Sequence, residues 1–215
     1  MKIIIGRDKD FCQKQNGKES LACDYAPLVR IIAKKDGIDL ELSNQIDDFF
    51  DKNDCYNSLQ CPYAEIPDVL KSYQSEPQDS NLNEVNDEIN RLGKKIGRIQ
   101  ILHGGNLGKK SFITERPLST TVNPLVAFRE AEKNAQNSKI YINILETVFP
   151  FPKAFVFDAN NGELSHEREI LFESSLYLQK ISEEKISSDY KMYDLTEKSM
   201  LFEVYLVKWL ITKID

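Results

Sequence analysis

Glu167 and Glu169 stand two residues apart in His166-Glu167-Arg168-Glu169-Ile170-Leu171, where an apolar run begins. Alternate residues of a β-strand face one side, so this spacing is expected to project both carboxylates together from the strand's start. Two like charges so close are costly unless a cation or a shared proton lies between them. A site that must grip a cationic acceptor and also steady a cationic transition state calls for such a pair. Solvated strand edges carry the same spacing, so the pair gains meaning only beside two further strings.

The first is Pro117-Leu118-Ser119-Thr120-Thr121-Val122-Asn123-Pro124-Leu125-Val126-Ala127-Phe128. A strand is expected here, passing into a helix at Asn123-Pro124. The hydroxyls of Ser119, Thr120 and Thr121 can cap that helix or orient neighbours in a site. The second string is Ile101-Leu102-His103-Gly104-Gly105. The chain holds 2 His, and this one is followed at once by glycines, which let a ligand approach the backbone closely. Gly105-Asn106-Leu107-Gly108 is too poor a match for a dinucleotide fingerprint, and no doubly wound pattern surrounds it. Between Arg91 and Arg116 the basic residues Arg91, Lys94, Lys95, Arg98, Lys109, Lys110 and Arg116 oppose Glu115 alone. That local excess can attract a pyrophosphate or form a solvated basic face.

The elements that position these strings fall into two stretches. Up to about residue 90 the pattern is mostly helical, after a short strand at Lys2–Ile5. Helices are predicted over Tyr25–Lys35, stopped by Asp36-Gly37, and over Asn44–Lys52 with Ser43 as its N-cap. Two more are predicted over Asp68–Tyr73, bracketed by Pro62 and Pro67, and over Leu82–Leu92, ended by Gly93. The polar stretch Gln74–Asn83 reads as a linker. From Ile96 the period changes. Ile99–His103, Ile140–Glu146, Ala154–Phe157, Glu169–Phe172, Leu176–Ile181 and Leu201–Trp209 read as strands, with a helix over Pro124–Ala135. Helices first and strands after describe an α+β fold.

Composition sets outer bounds. A chain of 215 residues with 41% hydrophobic and 29% charged residues is that of a globular protein with one sizeable core, or a core plus a helical subdomain. A net charge of −6 argues against nucleic acid as a partner. No apolar run approaches the roughly 18 residues of a membrane span. Met1–Gly6 is far too short for a signal peptide. Cys12, Cys23, Cys55 and Cys61 match no zinc spacing and read as reduced thiols partly buried in helices, so no metal site is expected.

Taken together, the three strings resemble the active site of mono-ADP-ribosyltransferases, which cleave NAD and transfer ADP-ribose. The Pro117–Phe128 string closely resembles the Ser-Thr-Ser segment of the arginine-type members, where a strand enters a helix through Asn-Pro and an apolar Val-Ala. Glu167-Arg168-Glu169 resembles their Glu-x-Glu strand. One position departs. Arginine-type members place Arg where this chain has His103, and His103-Gly104 resembles instead the strand start of diphtheria-toxin-like and poly-ADP-ribose polymerase enzymes. Those lack the Ser-Thr-Thr string. The resemblance covers roughly 96–181. It implies a split β-sandwich NAD-binding core of the ADP-ribosyltransferase type over 93–215. A mostly helical region over 1–92 precedes it, and such helices usually belong with the core in that family.

The resemblance also implies roles. Gly104 backbone groups hold the nicotinamide amide, and His103 hydrogen-bonds ribose hydroxyls of NAD. Ser119, Thr120 and Thr121 belong to the NAD-binding site, and Ser119 helps position Glu169. Glu169 binds the nicotinamide-ribose hydroxyl and stabilises the oxocarbenium ion, much as a carboxylate steadies a positive sugar in glycoside cleavage. Glu167 pairs with the acceptor, an arginine guanidinium, and helps remove its proton. NAD is then the substrate and no metal is needed. The partner is a protein, plausibly a host protein met by a toxin or effector. The location is cytoplasmic, or inside a host cell after secretion without a cleaved leader. Asp158–His166 forms the target-facing loop; it has no aromatic residue of its own, though Phe157 borders it. If His103 is a bystander, the basic residue of the site is to be sought at Arg98 or Arg116. Two alternatives stay open: an NAD glycohydrolase, with water as acceptor, and a degenerate member that binds NAD or a protein without chemistry.

Overall fold

The computed structural model describes residues 12–15, 18–21, 24–34, 40–108, 110–193 and 199–214. A hairpin of β1 (Cys12–Gln15) and β2 (Lys18–Leu21) comes first. Helices follow: α1 (Tyr25–Ala33), α2 (Leu40–Asp51), α3 (Asp54–Asn57), α4 (Asp68–Ser75) and α5 (Leu82–Leu92). The remainder is β3 (Lys94–Lys95), β4 (Gln100–Gly104), β5 (Phe112–Ile113), β6 (Leu118–Thr121), α6 (Pro124–Lys133), β7 (Lys139–Thr147), β8 (Lys153–Val156), β9 (Glu169–Phe172), β10 (Leu176–Tyr193) and β11 (Ser199–Lys213). The fold is α+β, as the change of period indicates.

Local chemistry explains most element limits. α1 buries Tyr25, Ala26, Val29, Ile32 and Ala33 on one face, and the Asp24 side chain accepts from Ala26 N–H as its N-cap. α2 starts at Leu40, so Ser43 lies inside it and is not its cap. Leu42, Ile46 and Phe50 recur every four residues and are all buried, and that stripe requires helix before Leu42. α4 runs through Ser75, which brings Gln74 out of the expected linker and onto a helix. α5 matches its predicted limits, with Val85 and Ile89 buried. Gly93 ends it for a packing reason. Its backbone is not left-handed, but a Cβ there would sit 2.3 Å from the Ile89 carbonyl oxygen and 3.0 Å from that of Ala154.

Other differences lie in the strands. The β1–β2 hairpin has no apolar alternation to announce it, and the Lys2–Ile5 strand and the Asp36-Gly37 stop lie outside the described residues. β10 continues far past Ile181 to Tyr193. Its outer half is polar and is held as strand by its partner β11, with three register shifts along the pairing. Among the described residues no helix is long and apolar enough to cross a membrane. Cys61 is a free, partly buried thiol between α3 and α4, not within a helix.

The large sheet has nine strands in the order β3-β8-β9-β6-β4-β7-β11-β10-β5. Only β7 and β11 run parallel; the other neighbours are antiparallel. A single residue pair, Leu102 with Thr121, joins β6 to β4. The sheet is thus two half-sheets, β3-β8-β9-β6 and β4-β7-β11-β10-β5, that meet at one point and part. α1 and α2 pack into the main core with Ile101, Leu102, Ile142 and Trp209. α4 and α5 cover Phe155, Phe157 and Leu171 in a second core.

Candidate active site

The three strings meet where the half-sheets part. Leu102 and Thr121 make the last ladder contact. One residue on, the His103 ring replaces the ladder, its Nδ1 lying 2.9 Å from the Ser119 carbonyl oxygen. A carbonyl only accepts, so Nδ1 carries the proton and Nε2 is left as an acceptor. Nε2 has no hydrogen-bond partner among the described residues. Burial pushes the His103 pKa below its ordinary value, outweighing the Ser119 carbonyl and the Glu130 charge, which act the other way. The ring is therefore neutral near pH 7.

Gly104 is needed for a reason other than ligand approach. A Cβ there would lie 2.0 Å from the Ala127 carbonyl oxygen and 2.6 Å from the Ala131 nitrogen, so α6 presses its backbone onto this glycine. Gly105 has φ +126°, a conformation that other residues rarely adopt. Beneath the pair lies Asn143 of β7, 1% exposed. Its Nδ2 donates to the carbonyls of His103 (3.1 Å) and Gly105 (2.6 Å), and its Oδ1 accepts from Trp209 Nε1 at 2.9 Å. This buried network braces the backbone that carries His103. Asn143→Ala strands the indole N–H and takes a donor from two carbonyls, and is expected to cost about 3 kcal/mol in urea unfolding. A loss below roughly 1 kcal/mol would mean these groups find other partners.

Glu169 opens β9, directly across from Thr121, with Ser119 its diagonal neighbour on the same face. Its residue is 5% exposed, and Oε2 is a buried oxygen with no hydrogen-bond partner. Burial pushes its pKa up to about 7, aided by the charges of Glu167 and Glu130, while the neighbouring Ser119 and Gln74 side chains pull it down. The Ser119 backbone carbonyl thus holds His103 while the residue itself stands diagonally beside Glu169. Thr120 Oγ1 donates to the Ile170 carbonyl at 2.6 Å, and Thr121 Oγ1 to the Glu167 carbonyl at 2.6 Å. Both threonines are buried and bind backbone, so they fasten β6 to the glutamate segment.

The two glutamates do not share a strand. Glu167 ends a 3₁₀ turn, Ser165–Glu167, and Arg168 is left-handed at φ 48°, ψ 47°. The sequence expectation of both carboxylates on one strand face is corrected: a left-handed residue between them breaks the two-residue period. Glu167 is half-buried, and burial, with Glu130, raises its pKa against the opposing His166 and Lys133. Glu130 and Lys133 of α6 are thus near enough to act on its charge. Its carboxylate has no hydrogen-bond partner among the described residues.

The loop between β8 and β9 gains an aromatic neighbour from elsewhere. Phe157 is buried in the second core, whereas the ring of Tyr63, 43% exposed, lies 2.7 Å from where a Gly162 Cβ would be. Asp158 Oδ2 accepts from the Tyr63 backbone N–H at 3.0 Å. Of the basic residues, Arg98 is ion-paired with Glu146 near the start of β4, away from His103. Arg91 pairs with Glu88, and Lys94 donates to the Ser58 and Leu59 carbonyls. Arg116 lies beside Tyr73, whose hydroxyl also feels the Glu169 charge. Arg116 Nη2 donates to the Pro77 carbonyl at 2.6 Å. No group of three or more His, Cys, Asp or Glu among the described residues is placed to hold a metal.

Gln74, Asn143 and Glu130 join the site although the sequence does not mark them. Gln74 sits in a polar stretch, Asn143 in an apolar strand and Glu130 on a helix, and only the tertiary arrangement brings them here. An Asn inside an otherwise apolar strand is the one local signal among them.

No family model matches the sequence, and no curated protein matches it. Solved structures do match. The Vis toxin, an ADP-ribosyltransferase from Vibrio splendidus, has 11% identity and a TM-score of 0.49 over 85% of this chain and 89% of its own. An ADP-ribosyltransferase from Clostridium botulinum has 8% identity and a TM-score of 0.37 over 83% of this chain and 98% of its own. The ADP-ribosylating component of a C. perfringens binary enterotoxin, crystallised with NADH, has 11% identity and a TM-score of 0.45, over 77% of this chain and 48% of its own. Likeness at this level decides neither chemistry nor target, so function rests on this chain's own residues.

Proposed function

We propose that this protein is an NAD-dependent mono-ADP-ribosyltransferase that breaks the nicotinamide–ribose bond and transfers ADP-ribose to an arginine of a protein, acting as a toxin or effector. One observation carries the reading: Ser119, whose carbonyl holds a neutral His103 with a free acceptor nitrogen, stands beside a buried Glu169 with an unpartnered oxygen. Two hydrogen-bond acceptors where the half-sheets part, both otherwise unsatisfied, suit the hydroxyls of a ribose.

In the reaction, nicotinamide leaves with the bonding electron pair and the ribose carbon becomes an oxocarbenium ion. Ionised Glu169 accepts a ribose hydroxyl and steadies that charge. His103 Nε2 accepts another hydroxyl, with Nδ1 held by Ser119. Gly104 backbone groups take the nicotinamide amide, and Arg116 is the cation for the pyrophosphate. A guanidine nitrogen then attacks the ribose carbon and gives its proton to Glu167, whose raised pKa makes it the better base.

The test is direct. The protein is incubated with NAD and nicotinamide release is measured, and labelled NAD is then added with an arginine analogue or a proteome. Release with transfer of label supports the transferase. Release without transfer makes the protein an NAD glycohydrolase, the same site with water as acceptor. No release at all overturns the reading.

His103→Ala is expected to raise the KM for NAD several-fold, about 1 kcal/mol for one lost hydrogen bond, with the fold intact by circular dichroism. His103→Arg can still donate to Ser119 but offers no acceptor, so it too should raise KM if Nε2 is the contact. Normal KM in both variants would make His103 a spacer between the half-sheets.

A further inference from the structure

Arg168, the residue between the two glutamates, has a role that no motif assigns. A left-handed backbone costs a non-glycine residue about 1–2 kcal/mol, and persists only where its surroundings over-determine it. Here two sets of contacts do so. On one side Thr121 Oγ1 holds the Glu167 carbonyl at 2.6 Å, and the Phe157 N–H holds the Glu169 carbonyl at 3.1 Å. On the other the Arg168 side chain, 6% exposed, runs under α2. Its Nη2 donates to Asp51 Oδ1 at 2.7 Å and lies 3.5 Å from Asp47 Oδ1. The guanidinium carbon sits 5.5 Å from the centre of the Phe50 ring. Asp47 and Asp51 are one turn apart and present one face of α2.

The anchor is lopsided. Nε and Nη1 of Arg168 are buried without hydrogen-bond partners, so the pair with Asp51 is the main compensation for burying this charge. No other residue of the glutamate segment is tied to α2 by a hydrogen bond or ion pair among the described residues. Were residue 168 to relax to extended backbone, the strand would continue through Glu167, which would swing, and Glu169, the terminal pair of the β9–β6 ladder, would lose its fixed entry.

We propose that Arg168 is a positioning residue for Glu169: its ion pair with Asp51 of α2 locks the left-handed turn that aims the Glu169 carboxylate into the crevice. The helical region thereby sets the geometry of the catalytic segment. This rests on the role of Glu169 given above.

Asp51→Ala is the leading test, because the Asp51 side chain is 54% exposed and its loss leaves no cavity; circular dichroism checks that the fold survives the uncompensated Arg168 charge. Arg168→Gly keeps the left-handed turn without strain but removes the anchor, and Arg168→Lys keeps a charge for Asp51. Two readouts are taken: kcat and KM for nicotinamide release from NAD, and the titration midpoint of the Glu169 carboxyl by carbon-detected NMR. The second needs no catalysis. Asp51→Ala and Arg168→Gly should lower kcat about tenfold or more, as expected for a small misplacement of a reacting group, with KM within about twofold. Both should move the Glu169 midpoint, and Arg168→Lys should recover part of each effect.

A fall in kcat with an unmoved midpoint, or an unmoved midpoint and kcat together, would overturn the proposal. If wild type releases no nicotinamide but the midpoint still moves in Asp51→Ala, the function fails and the positioning role stands. Should Arg168→Gly not fold, Asp51→Ala decides alone.

Discussion

Glu169→Gln should abolish nicotinamide release and, above pH 7, make the protein more stable. Both effects have one cause. The native site holds Glu169 in a buried place with one oxygen unpartnered, so its pKa rises from 4.5 to about 7. A carboxyl raised on folding contributes stability that is fully present below its unfolded pKa and is lost as pH climbs through the folded value. Ionising Glu169 in the native site therefore costs roughly 3 kcal/mol at pH 8 or above. Gln is neutral at every pH and is spared that cost. In catalysis the sign reverses, because only the carboxylate steadies a positive ribose. Removing one preorganised charge contact is expected to lower kcat by about 10²–10³-fold. Wild-type release should accordingly rise through pH 7 and level off above it. Denaturant unfolding at pH 5 and pH 8.5 checks the first half and nicotinamide release the second. Activity within a few-fold of wild type, or parallel stability profiles for the two proteins, would remove Glu169 from its role.

How far the site is legible in the sequence depends on how local its causes are. α5 and the start of β9 follow from periodicity and flanking residues, and both appear where predicted. Asn123 caps α6 through its own side chain, a contact two residues long. Ser43 fails as a cap because the buried stripe of Leu42, Ile46 and Phe50 extends the helix past it. The outer half of β10 is invisible because its strand state is owed to β11. The left-handed Arg168 is the sharpest case. Nothing in Glu-Arg-Glu distinguishes a strand from a turn, and the deciding contacts come from Asp51 and Thr121, both far off in the chain. For the same reason Gln74 reads as linker, and Arg98 and Arg116 look equivalent until Glu146 claims the first and Tyr73 adjoins the second.

Glu167→Gln should separate transfer from hydrolysis. The main chain of Glu167 is tied down, its carbonyl accepting from Thr121 Oγ1. Its carboxylate is not, and stands on a turn off the end of β9. On the proposed reading Glu169 meets the sugar, while Glu167, outside the strand, serves the acceptor. Burial and Glu130 raise the pKa of Glu167, which makes its carboxylate a stronger base toward the guanidinium proton. Glu130 is itself held by Lys133 at 2.6 Å, leaving Glu167 as the less committed of the two carboxylates. Without a charge at 167, transfer to an arginine analogue is expected to fall about 10²-fold, the lower range for a positioned general base. Water needs no such grip, so nicotinamide release in the absence of acceptor should stay within a few-fold. Labelled NAD with and without the analogue measures both. Equal loss of the two activities would place Glu167 in support of the ribose, and loss of neither would put the acceptor site elsewhere.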